Sequence, residues 1–216
     1  MKNTLTIKDL KYSYDYSAGQ VNVLKGVSAE FHSGKLYAIQ GESGSGKTTL
    51  LSLLAGLDAV QEGDVQYNGK SITKIGSQKY RLKYSNIVFQ SYNLLKYMTA
   101  RENVQIAIDF SGKKTDAYKP LAEVGLNKEE SDRLIQRLSG GQQQRVAIAR
   151  ALAASVPIIL ADEPTGNLDE DTEEKIIALF KKLAHEDNII VIVVTHSRRV
   201  ASHCDKIFRL SRGLLK

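Results

Sequence analysis

The sequence is poor in cysteine, proline and tryptophan: its 216 residues include one cysteine, three prolines and no tryptophan. The single cysteine, Cys204, cannot form a disulfide within the chain and has no partners at metal-ligand spacing. We therefore interpret Cys204 as a packing residue and expect a reducing, cytoplasmic environment. With 25% charged and 42% hydrophobic residues, the composition is typical of a globular domain and not of a disordered chain.

Long apolar runs and long basic blocks are also absent. No apolar run reaches the roughly 18 to 20 residues of a transmembrane helix, and the N-terminal residues MKNTLTIKDL lack the apolar core of a secretory signal. The net charge of +6 comes from lysines and arginines scattered along the chain, which is typical of a solvated basic surface. We expect a soluble protein with no nucleic-acid partner.

The sequence does contain short apolar strands that alternate with amphipathic helices. Strands are predicted over residues 4–12, 23–31, 36–40, 63–69, 85–90, 156–162, 188–196 and 205–211, and helices over 47–56, 99–108, 115–125, 127–137, 140–155 and 169–187. The run IIVIVVT is apolar enough to be covered on both faces, which indicates a central parallel strand. Because no repeat or linker divides the chain, we predict one α/β domain over residues 1–216.

The segment GESGSGKTT, residues 41–49, carries the clearest chemical signal. It fits the pattern G-x-x-x-x-G-K-[ST], follows a predicted strand and opens a predicted helix, so that backbone N–H groups can surround a phosphate. Lys47 would reach the β and γ phosphates, and the Thr48 hydroxyl would bind Mg²⁺. The predicted nucleotide-binding residues of this loop are Gly41, Ser43, Gly44, Ser45, Gly46, Lys47, Thr48 and Thr49.

Polar side chains lie at the ends of three further predicted strands. Asp162 and Glu163 end the run IILADE, and the carboxyl ends of parallel strands meet at one edge of a sheet. There Asp162 would hold Mg²⁺ and Glu163 would act as the base for an attacking water, unless the pair only caps a strand end. His196 would bond to the γ phosphate and Gln90 would contact Mg²⁺ or the water, although either residue could instead be structural.

The segment LSGGQQQR, residues 138–145, predicts a second anion site. Ser139 is a suitable N-cap for the helix that follows, and the glycines leave its first N–H groups bare. One nucleotide hardly needs two helix termini from distant parts of one chain. We therefore infer that this terminus serves a nucleotide held by another copy.

These motifs, in this order and over nearly the whole chain, resemble those of the ATP-binding subunits of ABC transporters: the phosphate loop, FQ, LSGGQQQR, ILADEPTGNLD and TH. The resemblance implies a P-loop NTPase core with a mostly parallel sheet, an N-terminal antiparallel β subdomain and a helical subdomain inserted over residues 91–155. It implies an ATPase that binds ATP and Mg²⁺, with two copies in a head-to-tail dimer. The phosphate loop of one copy and the LSGGQ segment of the other would enclose each ATP.

The resemblance also implies roles for single residues. The residues that serve the partner's nucleotide would be Ser139, Gly140, Gly141, Gln142 and Asp169, the last in a loop that communicates between the two sites. Gln90 matches the loop that couples nucleotide state to the membrane subunits, and His196 matches the switch histidine. The aromatic that stacks on adenine would be Tyr14, with Tyr12 and Tyr16 as alternatives.

Within the family, the sequence resembles lipoprotein-release, macrolide-efflux and antimicrobial-peptide or bacteriocin transport ATPases, and also a cell-division ATPase. This branch implies integral-membrane permease partners at the cytoplasmic face of the membrane and export or extraction of peptide, lipoprotein or drug-like substrates. The alternative is a non-transporting regulator of a cell-division or cell-wall machine. Leu94, Leu95 and Met98 would contact the permease or else form ordinary core. DNA-repair relatives carry a long coiled coil before the signature, for which this chain has no sustained heptads.

Overall fold

Strands and helices alternate along the chain in a computed structural model that describes residues 3–16 and 19–216. The strands are β1 (Thr4–Tyr16), β2 (Gly19–His32), β3 (Lys35–Gln40), β4 (Glu62–Tyr67), β5 (Lys70–Ser71), β6 (Ser85–Val88), β7 (Ile158–Asp162), β8 (Ile190–Thr195), β9 (Lys206–Ser211) and β10 (Leu214–Leu215). The helices are α1 (Lys47–Leu54), α2 (Ile72–Ile75), α3 (Ser77–Lys83), α4 (Ala100–Ser111), α5 (Tyr118–Glu123), α6 (Lys128–Ser131), α7 (Gly140–Ala153), α8 (Glu170–His185) and α9 (Arg198–Ser202), with a 3₁₀ turn at Ile135–Arg137.

Two sheets form the frame. An antiparallel sheet has the order β2-β1-β4-β5, and a six-stranded sheet has the order β10-β9-β3-β8-β7-β6. In the larger sheet every pairing is parallel except that of β10 with β9. The predicted α/β class, with a mostly parallel sheet and an N-terminal antiparallel sheet, is confirmed.

The large sheet separates two hydrophobic cores. Alternate residues of β8 face opposite sides: Ile190, Ile192 and Val194 pack with the antiparallel sheet and α1, whereas Val191 and Val193 pack with α7 and α8. All of these side chains are buried, and each contributes about 1.5–3 kcal/mol relative to exposure. The continuous apolar run of β8 therefore follows from burial on both faces.

The range 91–155, predicted as a helical subdomain, contains α4, α5, α6 and α7. Thr99 caps α4 and Ser139 caps α7, each in a reciprocal capping box with the residue three positions later. The helices α4, α5 and α7 bury apolar residues in the core that α8 also shares. This shared core fixes the position of α7 relative to the sheet.

The helix predicted over 127–137 is wrong over most of its length. Only Lys128–Ser131 is α-helical, because the backbone beyond it pairs with the start of α4 and the segment before it: Ala100 N–H donates to Arg133 O, and Ile135 N–H donates to Met98 O. The helix predicted over 115–125 begins at Tyr118, so Pro120 lies in its first turn, where a proline is tolerated. The short helices α2, α3 and α9 were not predicted.

Within the described residues 3–16 and 19–216, no helix is both long and apolar enough to span a membrane.

Cys204 is half-buried and packs against the core beneath α8 and α9, in accord with its interpretation as a packing residue. Burial raises the pKa of the Cys204 thiol to about 12.

We expect Cys204 to react slowly with thiol reagents in the folded protein. At about pH 8 a thiol with that pKa is thiolate in on the order of one molecule in ten thousand, against about a quarter for an ordinary cysteine. The rate of disulfide exchange with an aromatic disulfide reagent should therefore rise by roughly a thousandfold when the same sample is unfolded in urea. Equal rates in the two states would contradict the burial of this thiol.

Candidate active site

Four strand ends meet at one edge of the large sheet. The parallel register pairs Gln40 at the end of β3 with Thr195 at the end of β8. It also pairs Asp162 at the end of β7 with Val194, and Val88 at the end of β6 with Ala161. The phosphate loop and the segments that carry Gln90, Glu163 and His196 therefore all begin at this edge.

The phosphate loop is a tight turn that only glycine permits at two positions. Gly46 caps α1 with φ 98°, and a Cβ there would lie 2.8 Å from Val23 Cγ1. A Cβ on Gly41 would lie 2.4 Å from Leu210 O. Lys47 Nζ donates to the carbonyls of Gly41 and Glu42, at 2.8 Å each, so the ammonium lies inside the turn. The loop thus presents backbone N–H groups and one cation to the same space.

Thr48 and Asp162 bring two oxygen ligands together. Thr48 Oγ1 donates to Asp162 Oδ2 at 2.9 Å, which joins the first turn of α1 to the end of β7. Asp162 is buried, and its burial raises the pKa of the carboxyl, as does the nearby charge of Glu163, whereas Thr48 and Lys47 lower it. A cation at this point would remove the cost of holding the carboxylate ionised.

Glu163 has a left-handed backbone, with φ 46°, that turns its side chain toward the end of β8. Glu163 Oε1 accepts the backbone N–H of His196 at 2.9 Å and lies 2.7 Å from His196 Nδ1. Glu163 Oε2 accepts the hydroxyl of Thr195 at 3.1 Å. Only 11% of the Glu163 side chain is exposed, against 76% for His196. The carboxylate is therefore held at the cleft wall, and the imidazole projects beyond it.

A cleft of about 700 Å³ collects these groups. It is lined by Tyr14, Val23, Ser43, Gly44, Gly46, Lys47, Thr48, Thr49, Gln90, Asp162, Glu163 and His196. Two predicted loop residues do not line it: Gly41 lies behind the turn, and the buried Ser45 hydroxyl has no hydrogen-bond partner among the described residues. Sequence reasoning missed Val23 and Thr195. Thr195 is the residue before His196 in the TH motif, whereas nothing local marks Val23.

Of the two candidate tyrosines whose side chains the structure describes, Tyr14 lines the cleft and Tyr12 does not. Its hydroxyl lies 3.4 Å from Thr49 Oγ1 at the start of α1. Tyr12 makes an edge-to-face contact with Tyr14 and packs against the core below the antiparallel sheet. The Tyr16 side chain lies outside the described part of the structure. The geometry therefore favours Tyr14 over Tyr12.

The first turn of α7 lies outside this cleft. None of the residues 138–145 is among the described residues that line it. Ser139 Oγ accepts the backbone N–H of Gln142 at 3.2 Å, so Ser139 is the N-cap as predicted. Because a hydroxyl can donate while it accepts, the Ser139 proton remains able to donate to an anion, together with the first N–H groups of α7.

Two of the side chains that we predict to serve the partner's nucleotide form hydrogen bonds within their own chain. Gln142 accepts the Ser139 N–H and donates to Glu130 Oε1 at 2.8 Å. Asp169 caps α8 by accepting the N–H and the hydroxyl of Thr172, and these bonds lower the pKa of its carboxyl. Like Gln142, Asp169 does not line the cleft.

Comparisons with known proteins agree with this geometry. A family model described as ABC transporter matches residues 24–166. The chain is 47% identical over 205 residues to the uncharacterized ABC transporter ATP-binding protein YclH of Bacillus subtilis (strain 168), covering 93% of this chain and 91% of that protein. It is 40% identical over 223 residues to the lipoprotein-releasing system ATP-binding protein LolD of Francisella tularensis subsp. holarctica (strain OSU18), covering 98% and 95%.

Solved structures give the same result. The fold superposes on a dimeric structure of MJ0796, described as a bacterial ABC transporter cassette, with a TM-score of 0.93, 37% identity and coverage of 98% of this chain and 96% of that chain. A second MJ0796 structure with the same scores is a dimeric post-hydrolysis state bound to ADP and Pi.

We expect Lys47→Met to weaken nucleotide binding. The variant removes a cation from the phosphate loop, and a charge-assisted hydrogen bond contributes about 1.5–3 kcal/mol, so the Kd for ATP should rise roughly 10- to 150-fold. Isothermal titration calorimetry measures this change. Lys70→Met, at an exposed position on β5, is the matched control and should leave Kd unchanged. An unaltered Kd for Lys47→Met would exclude the ammonium from the phosphate site.

Proposed function

The chain belongs to the ABC transporter family of ATP-binding proteins and is an ATPase, and on this premise we propose that it hydrolyses Mg-ATP between two copies of itself. The supporting observation is the separation of the two anion-binding helix termini. The N-terminus of α1 opens into the cleft, whereas the N-terminus of α7 is outside it. Each copy therefore supplies the phosphate loop of one nucleotide site and the N-terminus of α7 for the other.

In the proposed dimer each ATP lies on the phosphate loop of one copy and meets Ser139, Gly140 and Gly141 of the other. The γ phosphate supplies the negative charge that both helix termini favour, so ATP stabilises the closed pair. Hydrolysis removes that bridging charge, and the copies separate. Gln142 and Asp169 keep the α7 and α8 termini in place through the capping bonds described above.

The residues of the cleft fit Mg²⁺. This ion prefers oxygen ligands and is usually held by one or two protein groups together with substrate phosphates. Thr48 Oγ1 and Asp162 Oδ2 already meet, and Gln90 lines the same cleft. When bound, Mg²⁺ supplies charge neutralisation on the β and γ phosphates. Among the described residues, no group of three or more His, Cys, Asp or Glu side chains could form an all-protein metal site.

Glu163 is the proposed general base. Its carboxylate is buried at the cleft wall, where Thr195 and His196 fix its direction by three contacts. A carboxylate held in this way can orient a water and accept its proton as the water attacks the γ phosphate. His196 projects into the cleft from Glu163, so its second ring nitrogen is the group that would contact the γ phosphate.

The membrane role rests on the exposed apolar residues after Gln90. Leu94 packs against the core, Met98 is half-buried, Leu95 is 49% exposed and Tyr97 is 89% exposed. We propose that Leu95 and Tyr97 dock a short cytoplasmic segment of an integral-membrane permease, which holds the protein at the cytoplasmic face. Coupled transport would export or extract peptide, lipoprotein or drug-like substrates, and the name of the lipoprotein-releasing LolD relative supports the lipoprotein class.

The alternative role is regulation of a cell-division or cell-wall machine without transport. Both roles need the same ATPase and a membrane partner, so the partner's identity decides between them. Affinity capture of the Glu163→Gln protein from detergent-solubilised membranes with ATP, followed by mass spectrometry, would return a permease in the first case and a regulator of a cell-wall hydrolase in the second.

We expect Glu163→Gln to bind ATP but hydrolyse it slowly. General-base catalysis contributes about 10²- to 10⁴-fold, and the amide keeps the size of the side chain while losing the proton acceptor. The turnover rate should fall by at least about a hundredfold, and light scattering after gel filtration with ATP should give the mass of a dimer. Glu186→Gln changes an exposed carboxylate outside the cleft and should behave as wild type. Wild-type turnover by Glu163→Gln, or a monomer at every ATP concentration, contradicts the proposal.

We expect Leu95→Asp and Tyr97→Asp to weaken attachment to the permease. A charge placed in an apolar interface forfeits the burial of a large side chain, about 1.5–3 kcal/mol, so retention on membranes should fall roughly tenfold or more. Sedimentation with permease-containing membranes measures retention, and thermal unfolding verifies the fold. Leu214→Asp, also at an exposed apolar position, is the control. Retention equal to wild type would leave this surface without a docking role.

A further inference from the structure

The turn that follows Gln90 contains two consecutive residues with left-handed backbones. Tyr92 has φ 62° and Asn93 has φ 49°. Asparagine tolerates this region, whereas a tyrosine there is strained and persists only when its surroundings fix it. The turn is therefore a defined structure with identifiable supports.

Arg150 of α7 is the first support. Its Nη2 donates to Tyr92 O at 2.9 Å, and its Nη1 donates to Asn93 O at 2.6 Å. One rigid guanidinium thus holds the two carbonyls of the strained turn. The turn after Gln90 is bound by this contact to the helix that begins at Gly140.

The Tyr92 side chain makes the second connection. Its ring packs against the core, and its hydroxyl accepts a hydrogen bond from Asn167 Nδ2 at 2.8 Å. The hydroxyl also lies over the first residue of α7, since a Cβ on Gly140 would be 3.5 Å away. A Cβ on Gly141 would lie 3.2 Å from Asn167 O. The Tyr92 hydroxyl and Asn167 therefore both lie against the first turn of α7, and a hydrogen bond joins them.

We propose that Tyr92 is a positioning residue that joins three loops into one unit: the turn after Gln90, the first turn of α7 and the loop that precedes Asp169. This inference rests on the proposed function, in which the Gln90 loop contacts the chain's own nucleotide and the first turn of α7 serves the partner's. A shift of the Gln90 loop then moves the N–H groups of Gly140 and Gly141. The Tyr92 hydroxyl thereby makes catalysis in one site depend on the occupancy of the other.

The hydroxyl acts on position more than on stability. Asn167 is exposed, so its amide can exchange the Tyr92 hydroxyl for water without leaving a buried polar group. Removal of the hydroxyl leaves the ring, the core contacts and the Arg150 bonds in place. Tyr92→Phe therefore tests the positioning role of the hydroxyl alone.

We expect Tyr92→Phe to lower kcat roughly three- to tenfold, the range of one neutral hydrogen bond. The Hill coefficient for ATP should fall toward one, while KM and the midpoint of thermal unfolding stay at the wild-type values. Tyr118→Phe is the matched control, because it removes a tyrosine hydroxyl bond to Asp132 of 2.7 Å on the same group of helices but touches none of the three loops. It should leave kcat and the Hill coefficient unchanged.

A double-mutant cycle tests the connection itself. Asn167→Ala should reproduce the effect of Tyr92→Phe, and the double variant should be no slower than either single variant. Multiplied losses in the double variant would show independent effects and overturn the proposal. So would a Tyr92→Phe protein with wild-type kcat and Hill coefficient, or an equal loss in Tyr118→Phe.

Failure of this link is distinguishable from failure of the proposed function. ATP-dependent dimerisation is measured with Glu163→Gln alone and with Glu163→Gln combined with Tyr92→Phe. If Glu163→Gln alone stays monomeric, the proposal of a site shared by two copies is wrong, and the proposed connection through Tyr92 fails with it. If both proteins dimerise and Tyr92→Phe turns over ATP as the wild type does, only the link is wrong.

Discussion

Parallel pairing of β3, β8, β7 and β6 is the constraint on which the active site depends. Each strand ends at the same edge, and each is followed by a different chemical group: a phosphate loop after β3, an amide after β6, two carboxylates at β7 and an imidazole after β8. Burial of the middle strands on both faces holds the register, because a shift would move apolar side chains between two packed cores. The Thr48–Asp162 bond then joins α1 to β7 across that edge.

The same packing places the second helix terminus elsewhere. The helix α7 buries its apolar side against α4, α5 and the sheet, so its N-terminus cannot turn into the cleft of its own chain without breaking that core. Its cap is fully formed, and its first glycines carry no side chain that would shield their N–H groups. The N-terminus of α7 can therefore bind an anion but lies outside the cleft of its own chain. This is the physical basis for a site shared by two copies.

Three of the eight described non-glycine residues with positive φ lie in loops that carry chemistry. Glu163, Tyr92 and Asn93 have left-handed backbones, and each is held by groups distant in sequence: Thr195 and His196 for the first, Arg150 for the others. Such conformations persist because tertiary contacts fix them. They point side chains in directions that a regular strand does not allow. At these three positions the tertiary contacts fix the placement of segments that matter for the proposed catalysis and for the connection between sites.

The sequence by itself determined what is local. The phosphate loop, the polar residues at strand ends, the Ser139 cap and the α/β alternation depend on residues close together in the chain, and the fold has them as predicted. Tertiary structure decided the features that depend on residues distant in sequence. It favours Tyr14 over Tyr12 at the cleft, and the hydrogen bond between Ala100 and Arg133 ends the predicted helix over 127–137 early. It also forms the hydrogen bonds of Tyr92 to Asn167 and Arg150. These contacts join segments far apart along the chain, and periodicity and spacing report only the geometry of neighbours.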